Sequence, residues 1–324
     1  MSVRQRRVLV VGARGFIGRA VVEVLTALGH DVSTLWGPRL TPMPASAAAS
    51  FIAASPLVDD LRERFSAVDT VVNTAGNPDA SETDGDALVS PNGILPGLLA
   101  AACRVAGPSP RLVHVSSAVV QGRAAVLDDS RETQAFSAYA RSKILGEALV
   151  LEHGRGIAVV YRPPSVHAVD RRVTRMTAAV ARSSLSTVAR PGSSPSPQAL
   201  LPNVASAVAF LATCPQQPPP VVAHPSEGLT TAGVLEALGG RRPRELPRWA
   251  ARAGVTIANA GGRLSPALAA NARRVEMLWF GQSQAGSWLT ESGWRPPQGA
   301  ESWAELGHEL NRTQTVTSRD EESR

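Results

Sequence analysis

Residues 8–25 read Val8-Leu-Val-Val-Gly12-Ala-Arg14-Gly15-Phe16-Ile17-Gly18-Arg-Ala-Val-Val-Glu-Val-Leu25. The four apolar residues before Gly12 predict a buried parallel strand, and the apolar residues after Gly18 recur at helical spacing. Glycines at such a turn let the backbone approach a pyrophosphate at the amino terminus of the helix, where free N–H groups favour an anion. Because strand, turn and helix follow in this order, the stretch predicts a dinucleotide site.

Apolar strand candidates alternate with helical segments through the first half of the chain. They end near Val11, Asn73, Ser116 and Tyr161, and another candidate covers 30–35. This alternation is typical of a doubly wound parallel sheet. We therefore predict an α/β protein, with a Rossmann-type doubly wound parallel sheet and a smaller carboxyl-terminal substrate lobe.

The domain boundaries are predicted from the point at which this alternation stops. Residues 1–163 form the dinucleotide-binding domain, and 200–223 returns to it with helical spacing. Residues 164–199 and 224–311 form the substrate-binding lobe. Residues 312–324 lack apolar periodicity and predict a disordered tail.

Composition excludes several other classes of protein. The 324 residues suffice for one large domain and a smaller lobe, and we expect no apolar run of membrane length and no signal peptide. Cys103 and Cys214 are isolated, which predicts a reducing, cytoplasmic location and no metal site. The net charge is +6, but the basic residues are spread along the chain without interleaved aromatics, so we expect no nucleic-acid partner.

A tyrosine and a lysine lie four residues apart in Tyr139-Ala-Arg-Ser-Lys143. On a helix this spacing places both side chains on one face. A phenol has an ordinary pKa of about 10, and a neighbouring cation lowers that pKa by favouring the phenolate. The spacing alone also suits a solvent-exposed helix face, so the pair indicates acid–base chemistry only together with the dinucleotide turn.

Further motifs accompany these two. The glycine spacing is Gly-x-x-Gly-x-x-Gly, and a serine pair lies in Leu112-Val-His-Val-Ser-Ser117-Ala-Val-Val-Gln-Gly122. Together with Val71-Val-Asn-Thr-Ala-Gly76 and Tyr161-Arg-Pro163, they resemble the extended short-chain dehydrogenase/reductase family, the NAD-dependent epimerase/dehydratase group, and within it NDP-deoxyhexose 4-ketoreductases. One departure is Gln121, where the family usually has tyrosine.

The resemblance implies which residues form the site. Ser117, Tyr139 and Lys143 match the family's catalytic residues. The cofactor site implied by the resemblance comprises Gly12, Arg14, Gly15, Phe16, Ile17, Gly18, Trp36, Arg39, Ala75, Gly76, Tyr139, Lys143 and Pro163.

The end of the second strand bears on the choice of cofactor. NAD-specific relatives have an acid there that binds the ribose hydroxyls, and in this chain the position falls on Trp36. Arg14 and Arg39 are close in sequence, and a guanidinium pairs well with a phosphate. The sequence therefore predicts NADP(H), although both arginines also suit positions that face solvent.

The residues after Ser117 bear on the reaction. Ala118 and Val119 offer no acid, base or thiol where related dehydratases and GDP-fucose synthases have one. We therefore predict a NADPH-dependent ketoreductase, with a nucleotide-linked 4-keto-6-deoxyhexose of deoxysugar or secondary-metabolite biosynthesis as its substrate.

Other functions stay open at this point. They are a reductase or epimerase of a non-nucleotide ketone, a nucleotide-sugar 4-epimerase, and a non-catalytic NADP-binding regulator. A nucleotide diphosphate could be bound by the basic residues after the first domain, although a solvated helix face suits them too: His167, Arg171, Arg172 and Arg175. We expect a small-molecule substrate and no membrane, and leave a homodimer open.

Overall fold

The structure, a computed structural model, describes residues 4–79, 82, 84–262 and 266–322, with side chains described outside 261–272 and 313–322. The chain divides into two compact units. Unit 1 comprises residues 1–164, 202–225 and 286–295, and unit 2 comprises 165–201, 226–285 and 296–324.

The strands and helices below are numbered in chain order. The strands are β1 (Arg7–Val11), β2 (Asp31–Leu35), β3 (Thr70–Asn73), β4 (Arg111–Val115), β5 (Val126–Leu127), β6 (Ala158–Arg162), β7 (Ser165–His167), β8 (Thr187–Ala189), β9 (Gln198–Leu200), β10 (Val221–Ala223), β11 (Arg244–Leu246) and β12 (Ser283–Gln284). The helices are α1 (Phe16–Ala27), α2 (Ala48–Ala54), α3 (Leu57–Phe65), α4 (Gly85–Val89), α5 (Leu95–Val105), α6 (Ala138–His153), α7 (Arg172–Arg182), α8 (Leu201–Thr213), α9 (Thr231–Gly239), α10 (Arg248–Gly262), α11 (Pro266–Phe280), α12 (Trp288–Glu291) and α13 (Glu301–Glu322).

Unit 1 contains a parallel sheet of six strands in the order β10-β6-β4-β3-β1-β2. The chain moves outward from β1 to β2 and then returns to place β3 on the other side of β1. The strand order therefore reverses between β1 and β3, and in doubly wound sheets ligands bind at the carboxyl ends of the strands beside such a reversal. The predicted α/β fold with a doubly wound parallel sheet is confirmed.

Apolar side chains on both faces of these strands explain why the sheet is central. Leu9 and Val11 of β1 join one core cluster with Leu99 of α5 and Val150 of α6. Val8, on the other face, is also fully buried. Strands covered on both faces consist of continuous apolar runs, which is the pattern in 8–11.

A long apolar helical run crosses unit 1. It consists of α4, a π-helical turn at Ser90–Ile94 and α5. Over Gly85–Val105 its length and mean hydropathy of 1.3 would suit a membrane span, but 78% of the residues in that window are buried inside the protein. Asp86, Ser90 and Asn92 interrupt the apolar residues of this segment. A helix packed in the core is apolar for the same reason as a membrane span, so the buried fraction explains its composition.

Unit 2 is built from short strand pairs and helices. Parallel pairs join β7 to β9 and β8 to β11. Its largest buried side chain is Trp303 of α13, which packs with apolar residues of α7 and α9 and donates its indole N–H to Glu227 at 3.0 Å. The carboxylate of Glu227 also accepts the backbone N–H of Leu200 at 3.1 Å, so it links α13 to β9.

Two details differ from the domain boundaries predicted above. Residues 286–295, expected in the substrate lobe, belong to unit 1, where Asp129 accepts the backbone N–H of Trp288 at 3.2 Å. Helix α13 continues to Glu322 through most of the segment expected to be a disordered tail. Neither glycine nor proline occurs in 308–324, so no residue of the helix-breaking kind ends it.

The close packing of α6 against the π-helical turn gives a stability prediction. A methyl group at Gly146 would collide with the backbone carbonyl oxygen of Asn92, whereas one at exposed Gly85 would meet nothing within 4 Å. We expect Gly146→Ala to lower the free energy of unfolding by about 1–3 kcal/mol, as overpacking does, and Gly85→Ala to cause little or no loss. Equilibrium denaturant unfolding measures both, and equal effects of the two variants would contradict the predicted packing.

Candidate active site

The glycine turn after β1 brings three backbone segments close together. Gly12 has a φ of +84°, and a Cβ there would lie 2.6 Å from the backbone nitrogen of Ala75. A Cβ at Gly18 would collide with the carbonyl oxygen of Gly12. Positions 12 and 18 therefore have room only for glycine, and the turn leaves the first N–H groups of α1 beside the carboxyl ends of β1 and β3.

Arg14 and Trp36 meet beside this turn. The guanidinium carbon of Arg14 lies 4.4 Å from the centre of the Trp36 ring, in a cation–π contact. Trp36 follows β2 directly and is 66% exposed. Arg39 is also exposed, three residues further on. The structure thus places the guanidinium of Arg14 on the ring of Trp36, just beyond the end of β2.

Helix α6 carries the predicted Tyr139 and Lys143. Ser137 caps it by accepting the backbone N–H of Ala140 at 3.1 Å, so Tyr139 lies in the first turn and Lys143 one turn later. Lys143 is only 6% exposed, and its Nζ donates to the carbonyl oxygen of Val115 at 3.4 Å. A Cβ at Gly76 would lie 3.5 Å from the same Nζ. Lys143 therefore lies between the ends of β3 and β4.

Ser117 lies just beyond the end of β4. Its hydroxyl oxygen accepts the backbone N–H of Val119 at 3.3 Å and begins a short 3₁₀ turn. The next residue, Ala118, donates its backbone N–H to the carbonyl oxygen of Pro163 at 2.9 Å. This bond ties the end of β4 to the end of β6, so Ser117 and Pro163 belong to adjoining strand ends.

Gln121 replaces the family's usual tyrosine and has a structural task here. Its amide nitrogen donates to Asp128 at 2.7 Å, and its amide oxygen accepts the backbone N–H of Asp128 at 3.0 Å. The hydrogen bond from Ser130 is the first cause that keeps the pKa of Asp128 below its ordinary value, with the Gln121 bond as a further contribution. Gln121 thus holds the loop that follows the 3₁₀ turn.

A buried histidine lies behind Lys143. Asn73 uses its side-chain oxygen to accept the backbone N–H of Ala75 at 3.0 Å, so its amide nitrogen faces Nδ1 of His114 at 3.1 Å. That nitrogen of His114 must accept, which places the proton of the neutral ring on Nε2. Burial, and secondarily the charge of Lys143, hold the pKa of His114 well below its ordinary value. His114 therefore adds no positive charge beside Lys143.

A buried ion pair that the sequence analysis missed lies on the same side of the sheet. Arg162, at the end of β6, is 1% exposed and donates through Nη2 to the carboxylate of Glu147 at 2.6 Å. Glu147 is 3% exposed and follows Lys143 by one helical turn. The sequence does contain a sign of this pair, because Glu147 and Arg162 are charged residues within otherwise apolar segments. Such residues are rarely buried without a partner of opposite charge.

Burial and charge oppose each other at Lys143. Burial lowers the pKa of Lys143 from its ordinary value to about 8, and the charge of Glu147 opposes that lowering. At neutral pH the ammonium form therefore still predominates. This is the charge state that can stabilise a phenolate one turn earlier.

The basic residues proposed for a diphosphate are placed differently by the structure. His167 is 2% exposed, and its Nε2 lies 2.8 Å from the side-chain oxygen of Gln198, while its ring packs on Trp303. It therefore belongs to the core of unit 2, which matches neither of the two alternatives left open for it, a diphosphate contact or a solvated helix face. Arg172 and Arg175 are exposed on α7, and Arg171 directly precedes that helix.

The arrangement in unit 1 suits a dinucleotide. The turn that excludes side chains at Gly12 and Gly18 leaves a cradle for a pyrophosphate at the start of α1. Arg14 and Trp36 lie at one end of this cradle, and Gly76 and Lys143 lie at the end of the neighbouring strand β3. Fold and site together define a dinucleotide-binding protein of the Rossmann type with a Tyr-x-x-x-Lys helix.

Comparison with known proteins gives the family. Residues 8–193 match the model of the NAD dependent epimerase/dehydratase family, which is more than half of the chain. The protein belongs to this family, as the sequence motifs predicted, and it is of the short-chain dehydrogenase/reductase kind, whose members are oxidoreductases and epimerases. The assignment of individual site residues remains a prediction.

One curated protein matches part of the chain at low sequence identity. The dTDP-4-dehydrorhamnose reductase of Mycolicibacterium smegmatis is 28% identical over 156 residues, which are 47% of this chain and 43% of that protein. The match thus spans less than half of the relative.

Two solved structures share the fold at low identity. The dTDP-4-dehydrorhamnose reductase of Bacillus anthracis, in complex with NADP, has a TM-score of 0.61 and 16% identity, covering 94% of this chain and 99% of that one. The UDP-glucuronic acid 4-epimerase of Bacillus cereus, in complex with NAD, has a TM-score of 0.61 and 18% identity. That match covers 95% of this chain and 99% of the epimerase.

The burial of His167 predicts how stability depends on pH. Burial lowers the pKa of His167 to about 4, whereas an unfolded histidine titrates near 6.5. Between these values the unfolded chain binds the extra proton, so stability falls as the pH falls, by about 3 kcal/mol at pH 4. We expect His167→Gln to show a shallower loss than the wild type in denaturant unfolding from pH 7 to pH 4.

Exposed His308 offers the matched control. His308→Gln should keep the wild-type dependence on pH, while His167→Gln should not. Parallel curves for the wild type and His167→Gln would contradict the buried, neutral state of His167.

Proposed function

We propose that the protein is a NADPH-dependent ketoreductase that acts on a nucleotide-linked 4-keto-6-deoxyhexose. The observation that carries this proposal is the placement of Lys143, a buried ammonium between the ends of β3 and β4, one turn after Tyr139. This pairing is suited to proton transfer at an oxygen atom, which ketone reduction needs. A non-catalytic regulator has no use for it.

The cofactor would be held by the cradle and by the charges beside it. The glycine turn would hold the pyrophosphate, Arg14 would pair with a 2′-phosphate, and Lys143 would hold the nicotinamide ribose. Because Trp36 stands where an acid would repel that phosphate, NADPH is favoured over NADH. The guanidinium of Arg14 lies on the ring of Trp36.

The bound nicotinamide supplies the hydride, and the protein supplies the proton and its control. Tyr139 donates a proton to the oxygen of the former carbonyl group, while Ser117 donates a hydrogen bond to the same oxygen. The ammonium of Lys143 stabilises the phenolate that Tyr139 becomes. Ala118 and Val119 provide no group that could abstract a proton from carbon, so the product is the alcohol.

The charge of the protein supports an anionic substrate. Unit 1 has 17 basic and 16 acidic side chains, and unit 2 has 16 basic and 11 acidic, so nearly all of the net charge of +6 belongs to unit 2. The basic residues themselves are spread over both units, and the difference in net charge comes from the smaller number of acidic residues in unit 2. A net charge of +5 on the unit expected to bind substrate favours an anion such as a nucleotide diphosphate. The relative from Mycolicibacterium smegmatis is named as a reductase of dTDP-4-dehydrorhamnose, a sugar linked to a nucleotide.

Cofactor preference tests the role of Arg14. We expect the wild type to bind NADPH more tightly than NADH by about tenfold, or about 1.4 kcal/mol. Arg14→Met should remove most of that difference, because it deletes the guanidinium that would pair with the 2′-phosphate. Fluorescence titration with both cofactors measures the four affinities.

The control is Arg104→Met, at the exposed carboxyl end of α5, far along the chain from the glycine turn. It should keep the preference for NADPH. Arg39→Met shows separately whether the second arginine contributes. Equal affinity of the wild type for NADH and NADPH would sink the cofactor assignment.

Turnover tests the reaction itself. Tyr139→Phe should lower turnover roughly 100-fold, the usual worth of a general acid, while NADPH binding stays intact. Lys143→Met should reduce both turnover and cofactor affinity. With a 4-keto-6-deoxyhexose nucleotide in deuterated water, the wild type should consume one NADPH per alcohol formed and leave carbon-bound hydrogens unexchanged.

Each contrary result identifies another function. Turnover without net loss of NADPH indicates the 4-epimerase. Reduction of simple ketones but of no nucleotide sugar indicates the non-nucleotide substrate. Tight NADPH binding without any turnover on either class indicates the regulator. A cytoplasmic location stays a prediction, and a homodimer stays open.

A further inference from the structure

Glu147 is held by three hydrogen-bond donors in the interior of unit 1. The hydroxyl of Ser116 donates to its Oε1 at 2.5 Å, Nε of Arg162 to the same oxygen at 3.0 Å, and Nη2 of Arg162 to Oε2 at 2.6 Å. All three donors aim at lone pairs of the carboxylate, so both of its oxygens are engaged. The geometry therefore holds the carboxylate of Glu147 in one position.

Arg162 itself is fixed from another direction. Its Nη1 donates to the backbone carbonyl oxygen of Ser130 at 2.7 Å. Ser116 directly precedes Ser117, and Arg162 directly precedes Pro163. The network around Glu147 thus joins the ends of β4 and β6 to α6, at the level where the proposed active site begins.

The charged and titratable groups around Lys143 can be named element by element. Its own helix contributes Glu147 and Tyr139, β4 contributes His114, and β6 contributes Arg162. His114 is neutral, as described above, and Glu147 is the charge that acts favourably on the ammonium. Without Glu147, no negative charge would oppose the lowering of the Lys143 pKa by burial, and the ammonium form would be less stable.

We propose that Glu147 is a positioning residue for the proposed reaction: its carboxylate, held by Arg162 and Ser116, keeps the buried Lys143 charged beside Tyr139. Tyr139 then becomes acidic enough to act only while this chain of alternating charges is intact. The inference rests on the proposed function, since the roles of Tyr139 and Lys143 do. It assigns to the Glu147–Arg162 pair a task beyond stability.

The chain allows a test that needs no substrate. It contains two tyrosines, Tyr139 and Tyr161, and the hydroxyl of Tyr161 is buried against Nδ1 of His224 at 2.6 Å. Phenolate absorbs in the near ultraviolet, so the ionisation of tyrosine can be followed by absorbance as the pH is raised. Subtracting the absorbance curve of Tyr139→Phe from that of the wild type leaves the contribution of Tyr139. Glu147→Gln should raise the titration midpoint of Tyr139 by about one pH unit, because Lys143 loses its charge.

A second variant protects the test against misfolding, since Glu147→Gln leaves Arg162 buried without its ion pair. The double variant Glu147→Gln/Arg162→Met removes both charges at similar volume, which buried ion pairs often tolerate. Its Tyr139 midpoint should also rise, by less than in the single variant. Glu152→Gln, an exposed position on the same helix, is the matched control and should titrate as the wild type.

The outcomes separate this inference from the proposed function. Folded variants at Glu147 whose Tyr139 titrates as in the wild type would overturn the inference, because a purely structural pair has no effect on that midpoint. A raised midpoint supports it even if no nucleotide sugar is reduced, since the titration uses the protein alone. Circular dichroism at each pH shows that the variants are folded.

Discussion

The close approach of the β1 turn to the end of β3 is the constraint on which the rest of unit 1 depends. Parallel pairing places Val11 beside Asn73, and the backbones then come so near that a methyl group at Gly12 would overlap Ala75. The same approach sets where α1 begins. The strand order reverses at the same place, and the cradle, Gly76 and Lys143 all lie at the carboxyl ends of the strands there.

Much of this edge could be predicted from sequence because its signals are local. A buried strand, a turn that only glycine fits and an amphipathic helix each leave a pattern within a few residues, as 8–25 does. The Tyr139–Lys143 pair is visible for the same reason, since both residues lie within one helical turn. In the structure, parallel pairing of the strands brings the ends of β3 and β4 next to Lys143.

The remaining features depend on contacts between residues far apart in the chain. Arg162 meets Glu147 across a helix and a strand, and no spacing rule connects them. The sequence around His167 is the same whether this side chain faces a ligand or packs in the core. Only the fold shows that it packs on Trp303. The apolar run of α4 and α5 is equally ambiguous, because a core and a membrane select the same side chains.

The unequal charge of the two units has a kinetic consequence. A nearly neutral unit 1 would attract the proposed dinucleotide only through local contacts, of which Arg14 is the proposed one, whereas the field of unit 2 acts on an anion over the Debye length, about 8 Å at physiological ionic strength. Long-range attraction of this kind raises the association rate and is screened by salt. Encounter with an anionic sugar nucleotide would therefore slow as ionic strength rises, while cofactor capture would depend on it less.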